Sequence, residues 1–528
     1  MNLLSILSFI ITIPYLILVS KNNLHMLQQN FYNENNRYLK WGKNNLNKII
    51  IKEEIIILVV NLLNIVLQND YLLLINLGYI YLYIKVKKEK DNEQVKIPLK
   101  ITSRLKRLVI TISIIYLVPF ILYILLNNSI YLTIYLILVF INFLIVYLSN
   151  IINIPIENIV FNYYKMKAIK KLKSINYLEV VGVTGSYGKT SSKNILNDIL
   201  SVKYNVFSTP KNYNTQYGLI LSINNYLDKF NDIFIAEMGA FKKGRIKLLC
   251  NLVKPKYGII TSIGTAHLET FGSRENIQEG KFELIESLPK DGVGILNRDD
   301  PYQVSYKLKN NCNIIWIGID NKDADIYATN IEMNSKGMSF DVIFKDKNIK
   351  EKFHTKLLGK PNIYNILAGI AFGDYKGMSI NELKMGVERV KPIEHRLELK
   401  KVGNKNIIDD AYNSNPVGAS MALDVLNLMD GFKVVVTPGM IELGEEQYRH
   451  NKEFGSKISL VADLAILVGK KQTKPIYDGL IESGYDKDKI IIINDVKEAF
   501  TIIDNLKIKE ETYILLENDL PDIFNEKE

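Results

Sequence analysis

The stretch LEVVGVTGSYGKT, residues 178–190, indicates the fold of most of this chain. Its first half is an apolar, β-branched run typical of a buried parallel strand, and residues 191–200 beyond it have a helical pattern. Such a strand–turn–helix predicts a phosphate-binding loop: glycines admit backbone N–H groups to phosphate, Lys189 neutralises charge, and the Thr190 hydroxyl can bind Mg²⁺. The turn consists of Thr184, Gly185, Ser186, Tyr187, Gly188, Lys189 and Thr190.

Short β-branched runs alternate with helical patterns along the rest of the chain, which is typical of α/β domains with parallel sheets. We predict a phosphate-binding α/β domain with a mostly parallel sheet over 161–392 and a Rossmann-like α/β domain over 393–528. The predicted strands are 177–183, 233–236, 257–261 and 294–296 in the first domain, and 407–408, 433–437, 464–468 and 490–493 in the second.

Residues 1–160 have a different character, because long apolar runs cover 3–19, 55–86 and 108–156. The last of these runs contains no charged residue, and polar breaks divide the last two runs into helices of bilayer length. We predict a multi-span α-helical transmembrane region of about five helices. We also expect that no carboxylate or arginine lies inside the spans.

The net charge of +10 is concentrated in this apolar region. Residues 1–160 contain 15 Lys and Arg against 8 Asp and Glu, and these charges lie between the apolar runs. Because basic loops stay on the cytoplasmic side, 20–53 and 87–107 are predicted to be cytoplasmic, together with everything after residue 157. The basic balance is therefore a topology signal, and no nucleic-acid partner is predicted.

Further motifs follow the phosphate-binding loop in a fixed order. They are NYNTQYG at 212–218, AEMGA at 236–240, IGTAHLETFGS at 263–273, Lys281, and NRDD at 297–300. Together with GVTGSYGKT, where Val183 stands at the glycine of the common spacing, this series resembles the Mur ligase family. The resemblance covers residues 175–528 and implies ATP as substrate and two Mg²⁺ ions as cofactors.

The same resemblance implies a set of metal ligands. Thr190 and Glu237 are the expected oxygen ligands, and His267 is expected to bind the second ion. Lys281 is expected to be carbamylated, which would turn a cation into a carboxylate-like ligand. The implied catalytic residues are Lys189, Lys281, His267 and Arg396.

Nucleotide and substrate contacts are implied in the same way. Asn297 is expected beside the adenine base and Asp410 beside the ribose, whereas Arg396 would stabilise the transferring phosphoryl group. The implied substrate-binding residues are Asn214, Asn413 and Asn415.

Near the join of the two domains, three strings resemble the branch of the family that adds D-alanyl-D-alanine to a UDP-muramoyl tripeptide. They are PIEHRLE at 392–398, IDDAYNSNP at 408–416 and GMIELG at 439–444. The implied activity is ATP-dependent amide formation during peptidoglycan synthesis. Together with the predicted spans, it leads us to expect a multi-pass protein of the bacterial cell membrane with its catalytic domains cytoplasmic. The lipid bilayer and other cell-wall synthesis enzymes are the further partners implied.

Two departures from the family pattern leave the acceptor open. Pro361 stands where the family has a histidine, and apolar helices stand where it has a substrate-holding domain. One alternative is therefore an amide ligase acting on poly-glutamate or on a lipid-linked muramoyl peptide. The others are a membrane protein driven by the phosphate-binding loop, which predicts ionisable residues in the spans, and an inactive scaffold, against which the intact Lys189 and Glu237 argue.

Overall fold

A computed structural model describes residues 3–67, 71–91, 98–334, 336–392, 395–403, 405–411, 415–441, 443–506 and 508–520. The chain forms two compact units, Met1–Tyr163 and Tyr164–Glu528. We call them the helical unit and the catalytic unit.

The helical unit consists of α-helices and one short 3₁₀ helix, Phe31–Asn36. The α-helices are α1 (Leu3–Gln29), α2 (Arg37–Asn44), α3 (Leu46–Ile49), α4 (Lys52–Leu67), α5 (Leu72–Asp91), α6 (Ser103–Leu126), α7 (Ile130–Phe140) and α8 (Asn142–Lys173). The boundary between the two units falls within α8. Helices α1, α6 and α8 are long and apolar enough to cross a membrane.

Apolar side chains fill the core of the helical unit and also cover its surface, and several polar side chains are buried among them. In α1, Ser8, Thr12 and Tyr15 are buried, whereas Ile10 and Ile17 are exposed. Buried polar groups find partners across helices, as when Thr12 Oγ1 donates to the Tyr135 hydroxyl at 2.9 Å. This arrangement suits a hydrocarbon solvent, which accepts apolar side chains and leaves polar groups to pair with one another.

Two expectations for this region are wrong in detail. The chain from 130 to 156 is not one helix, because α7 ends at Phe140 and α8 begins at Asn142, whose amide donates to Ser20 Oγ at 2.8 Å. A carboxylate does lie inside: Glu54 is 3% exposed and accepts a 2.8 Å hydrogen bond from the Tyr15 hydroxyl. The predicted loop ended at residue 53 and the predicted apolar run began at residue 55, but α4 already starts at Lys52 and therefore includes Glu54 near its amino-terminal end, which favours negative charge. The predicted break at Asn69 and Asp70 lies outside the described residues.

The first sheet of the catalytic unit has the strand order β2-β3-β1-β4-β5-β6-β7-β8-β9, which is parallel from β2 to β7 and antiparallel beyond. Its strands are β1 (Glu179–Thr184), β2 (Val206–Ser208), β3 (Ile233–Glu237), β4 (Tyr257–Ile260), β5 (Val293–Asn297), β6 (Asn313–Gly318), β7 (Ile326–Asn334), β8 (Gly337–Phe344) and β9 (Ile349–Thr355). Its helices are α9 (Lys189–Leu200), α10 (Gln216–Asn225), α11 (Arg245–Val253), α12 (Leu268–Phe271), α13 (Arg274–Glu286), α14 (Pro301–Val304), α15 (Lys360–Tyr375) and α16 (Ile380–Arg389). The prediction of a mostly parallel α/β sheet is confirmed, but the antiparallel strands β7 to β9 were not predicted.

The second sheet has the order β10-β11-β15-β12-β13-β14, and every pair except β10–β11 is parallel. Its strands are β10 (Glu398–Val402), β11 (Lys405–Asp410), β12 (Phe432–Thr437), β13 (Leu464–Val468), β14 (Ile490–Ile493) and β15 (Thr512–Glu517), with helices α17 (Pro416–Asn427), α18 (Gln447–Ile458), α19 (Lys474–Glu482) and α20 (Val496–Asn505). Val435 packs into one apolar cluster, and Val434 and Val436 pack into another on the opposite face. Apolar cores on both faces of a parallel sheet are the Rossmann-like layering that the sequence predicted.

Candidate active site

The carboxyl ends of β1 and β3 bring the phosphate-binding loop to one edge of the first sheet. β1 ends at Thr184, whose hydroxyl donates to the Met238 carbonyl at 2.8 Å, and α9 begins at Lys189. Gly188 caps that helix with φ of 76°, a backbone conformation that favours glycine. At Gly185 a Cβ atom would overlap the Thr261 hydroxyl. The loop therefore needs glycine at both positions.

Lys189 is folded back over its own loop. Its ammonium group donates to the carbonyl oxygens of Gly185 at 2.8 Å and Ser186 at 3.1 Å. Burial lowers the pKa of Lys189 to about 8; the Glu237 carboxylate opposes this shift and the Arg396 guanidinium adds to it. With a pKa of about 8, Lys189 remains mostly protonated at pH 7, and a bound phosphate would stabilise its positive charge further.

Glu237 ends β3 beside this loop and is 1% exposed. Its Oε1 atom accepts hydrogen bonds from the Thr190 hydroxyl at 3.1 Å and from the Asn214 amide at 3.0 Å. Its Oε2 atom accepts no hydrogen bond from any described residue, although the Lys193 ammonium lies 3.2 Å away. A buried carboxylate oxygen without a hydrogen bond, next to a threonine hydroxyl, fits a hard cation such as Mg²⁺.

His267 and Lys281 follow Glu237 along the chain, His267 just before α12 and Lys281 on α13. Lys281, on α13, is 1% exposed and donates to the Ala240 carbonyl at 3.3 Å. Burial, together with the nearby charge of Lys189, lowers the pKa of Lys281 well below its usual range. His267 has φ of 61° and precedes α12. No group of three His, Cys, Asp or Glu side chains that could hold a metal occurs among the described residues, and the metal roles of His267 and Lys281 stay predictions.

A cavity of about 400 Å³ unites most of the predicted residues. Lys189, Thr190 and Glu237 form one wall, and Arg396 and Asn415 come from the segment that leads into the second sheet and from its first helix. The predicted residues on its lining are Ser186, Tyr187, Gly188, Lys189, Thr190, Asn214, Glu237, His267, Arg396 and Asn415. The residues brought together are therefore those expected to handle phosphate, metal and substrate.

Other predicted residues do not line this cavity. Asn297 uses its side-chain oxygen to accept a 3.0 Å hydrogen bond from the Asp299 backbone, so its contact with a base stays a prediction. Burial raises the pKa of Asp410 to about 6, against the opposing charge of Arg396 and a 3.2 Å hydrogen bond from the Leu397 backbone. Thr184, Gly185 and Lys281 lie behind the lining, and Asn413 lies outside the described residues.

Two family descriptions match the catalytic unit. The Mur ligase middle domain matches residues 183–373, and the Mur ligase glutamate ligase domain matches residues 395–516. The chain is also 32% identical over 328 residues to UDP-N-acetylmuramoyl-tripeptide–D-alanyl-D-alanine ligase of Bacillus subtilis (strain 168), which covers 61% of this chain and 69% of that enzyme. The chain belongs to the Mur ligase family. The same-named enzyme of Escherichia coli (strain K12) is 29% identical over 320 residues, covering 60% of this chain and 70% of the relative.

Solved Mur ligase structures share this architecture. Crystal structure I of MurF from Acinetobacter baumannii superimposes with a TM-score of 0.61 at 25% identity, covering 68% of this chain and 77% of that chain. MurF ligase from Thermotoga maritima in complex with ADP gives a TM-score of 0.60 at 26% identity, covering 68% and 80%. The prediction of a Mur ligase fold is therefore confirmed.

Several residues at this Mur ligase cavity were not predicted. Arg245 and Phe241 line it, with the guanidinium 4.8 Å from the centre of the aromatic ring. They follow AEMGA within five residues, and this proximity was the available signal. Lys193 was also missed, although it lies four residues after Lys189 and therefore on the same face of α9.

Proposed function

We propose that this chain is an ATP-dependent ligase that joins D-alanyl-D-alanine to the peptide carboxylate of UDP-N-acetylmuramoyl tripeptide in peptidoglycan synthesis. One observation carries the proposal: the phosphate-loop residues Lys189 and Thr190, the buried acid Glu237 and Arg396 converge on one cavity. A phosphate-binding loop alone fits many nucleotide enzymes. Arg396, from the segment leading into the second sheet, adds a second positive group to the cavity, where it can stabilise charge on the transferred phosphoryl group.

The reaction has two steps. The substrate carboxylate oxygen attacks the γ-phosphorus of ATP, which breaks the bond to the β-phosphate oxygen and gives an acyl phosphate and ADP. The amine of D-alanyl-D-alanine then attacks the carbonyl carbon, phosphate leaves with the C–O bonding electrons, and the amine loses a proton. Lys189 and Arg396 offset charge on the phosphoryl oxygens in the first step. Closure of the second sheet's domain over the cavity would keep water from the acyl phosphate.

Two Mg²⁺ ions would be held by Thr190, Glu237 and His267 on the cavity lining and by a carbamylated Lys281, which is not part of that lining. Bound there, they would neutralise the terminal phosphates of ATP. The lowered pKa of Lys281 favours the carbamate, because the free base is the form of an amine that attacks CO₂. Its contact with the Ala240 carbonyl keeps the amine beside the segment that follows Glu237.

The remaining assignments concern the nucleotide and the substrates. We assign the adenine side to Asn297 and the ribose to Asp410, at the carboxyl ends of β5 and β11. Asn214 and Asn415 line the cavity and are available to the peptide, and Asn413 is assigned with them.

We further propose that residues 1–160 anchor the enzyme as a multi-pass protein in the bacterial cell membrane. The domains at 161–392 and 393–528 are then cytoplasmic, near other cell-wall synthesis enzymes. The apolar surface of the helical unit supports this placement. Both family descriptions match the catalytic unit, and neither matches the helical unit, so a lipid-linked muramoyl peptide is the second candidate acceptor.

The decisive experiment measures ADP release by the purified full-length chain in detergent. UDP-N-acetylmuramoyl tripeptide with D-alanyl-D-alanine is expected to stimulate release; single amino acids, glutamate polymers and lipid-linked muramoyl peptide are the comparison arms. Stimulation by the lipid-linked peptide alone would make that peptide the acceptor and would leave the assignment as a ligase unchanged. No stimulation by any pair would reject the ligase function itself.

A further inference from the structure

One buried lysine at the cavity has no part in the proposed chemistry. Lys193 on α9 is 1% exposed, and its ammonium group donates to the Thr209 carbonyl at 2.8 Å and to the Lys211 carbonyl at 2.5 Å. The same ammonium lies 3.2 Å from Glu237 Oε2. A fully buried charge is costly unless it is paired and hydrogen-bonded, and Lys193 meets both conditions with groups from two different segments.

The two carbonyls belong to the loop between β2 and α10, residues 209–215. Lys211 in this loop has a φ of 48°, a backbone conformation that residues other than glycine rarely adopt. The hydrogen bond from Lys193 holds the carbonyl of this strained residue in place. Local strain of this kind persists only where surrounding contacts fix the backbone.

The same loop supplies a wall of the cavity and a partner of the proposed metal ligand. Asn212, Asn214 and Thr215 line the cavity. The side-chain amide of Asn214 donates to Glu237 Oε1 at 3.0 Å. The backbone carbonyl of Asn214 accepts a 2.8 Å hydrogen bond from the Gly239 backbone N–H. The Glu237 backbone N–H in turn donates to the Thr209 hydroxyl at 3.2 Å. Lys193 therefore sits where the loop, the metal ligand and the phosphate-loop helix meet.

We infer that Lys193 is a positioning residue that holds the 209–215 loop against Glu237 and so shapes the binding place of the carboxylate acceptor. The inference rests on the proposed function for its substrate. Lys193 is not part of the cavity lining, so we expect it to act through the 209–215 loop and Glu237. Its loss should therefore weaken acceptor binding far more than nucleotide binding, because the phosphate loop keeps its own contacts.

The test compares full-length Lys193→Met with Lys203→Met. Lys203 lies just after the same helix and also donates to a backbone carbonyl, that of Gly377 at 2.5 Å, but it is far less buried and does not line the cavity. In Lys193→Met the acceptor KM is expected to rise about tenfold, with ADP affinity changed less than about threefold, as for loss of charged hydrogen bonds. Backbone amides of 209–216 should also lose protection from hydrogen exchange. Lys203→Met should change none of these.

Acceptor KM and loop exchange both unchanged in Lys193→Met would overturn the inference. Equal losses of acceptor and ADP binding, with a lower unfolding temperature, would overturn it too, because Lys193 would then only support the fold. If the wild-type chain releases no ADP with any acceptor, the proposed function fails, and the exchange measurement still decides the role of Lys193. Should Lys193→Met not fold, Lys193→Gln is the second variant, because its uncharged amide can still donate a hydrogen bond to one of the two carbonyls. The acceptor KM is again expected to change more than the ADP affinity.

Discussion

The helical unit and the catalytic unit both have apolar cores, but most of the large apolar side chains exposed at the surface belong to the helical unit. In the helical unit Ser8 and Thr12 are buried and Leu3 is 79% exposed, whereas in the catalytic unit Val181 and Phe372 are fully buried. A soluble domain gains free energy by removing apolar surface from water, but a unit surrounded by lipid gains it by pairing polar groups inside. A buried polar residue is therefore expected to have a different role in each unit.

In the helical unit a buried polar group can be purely structural. Asn142 accepts a hydrogen bond from Asn23 at 2.8 Å and donates to Ser20 and Tyr116 at 2.8 and 2.9 Å. In the catalytic unit Glu237 keeps one oxygen without a hydrogen bond among the described residues. We therefore expect substitutions in the two units to separate stability from catalysis.

The largest effect is expected for Lys189→Met. Removing the cation of the phosphate-binding loop should lower ADP release by about a thousandfold, since preorganised charge at the phosphoryl group is lost. Membrane retention and the unfolding temperature should stay as in the wild type. Substantial residual ligation by this variant would contradict the assignment of the chemistry to this loop.

Lys281→Ala should have the next largest effect, about a hundredfold in ADP release, if a carbamylated Lys281 is a metal ligand. Short carboxylic acids such as acetate should restore part of the activity by replacing the carbamate. The matched control is Lys290→Ala, an exposed lysine beyond the end of the same helix, which should be silent. Full activity of Lys281→Ala without added acid would dismiss the carbamate.

Much of the catalytic unit could be predicted because local signals and tertiary contacts agree there. Strands β13 and β14 begin and end where their β-branched runs do, and the phosphate-binding loop lies between a strand and a helix as its glycines require. Strands β7 to β9 were missed because their residues alternate between buried and half-exposed positions, without a continuous apolar run.

The limits of sequence reasoning are clearest for single side chains. The position of Glu54 follows from a Tyr15 hydroxyl 39 residues away, and no local pattern shows such a pair. Lys193 looks like an ordinary helix lysine until Thr209 and Lys211 are brought to it by the fold. Asn297 has the expected place at a strand end, yet the sequence could not show that its side chain caps the following turn.

Asn142→Leu is expected to destabilise the helical unit by about 1–3 kcal/mol, because Ser20, Tyr116 and Asn23 would each lose a partner in a buried setting. The control is Leu148→Ala on the same helix, a side chain that is 46% exposed and should cost far less. Unfolding of the full-length chain in detergent, followed by circular dichroism, measures both. A larger loss of stability in Leu148→Ala than in Asn142→Leu would contradict the view that buried polar contacts stabilise the helical unit more than its exposed apolar side chains do.

The smallest effect expected concerns pH and the nucleotide side of the catalytic unit. Burial raises the pKa of Asp410 to about 6, so this carboxyl group becomes protonated as the pH falls below 6 and can no longer accept two hydrogen bonds from ribose hydroxyls. ADP affinity should therefore fall about three- to fivefold between pH 7 and pH 5, and Asp410→Asn should flatten this dependence. Burial would also raise the pKa of the neighbouring Asp409, but hydrogen bonds from Lys400 and His395 hold it below its usual range. Asp409→Asn should keep the pH dependence but shift it to lower pH, because the Asp409 charge contributes to the raised pKa of Asp410. A profile flattened by Asp409→Asn would instead indicate that Asp409 makes the ribose contact.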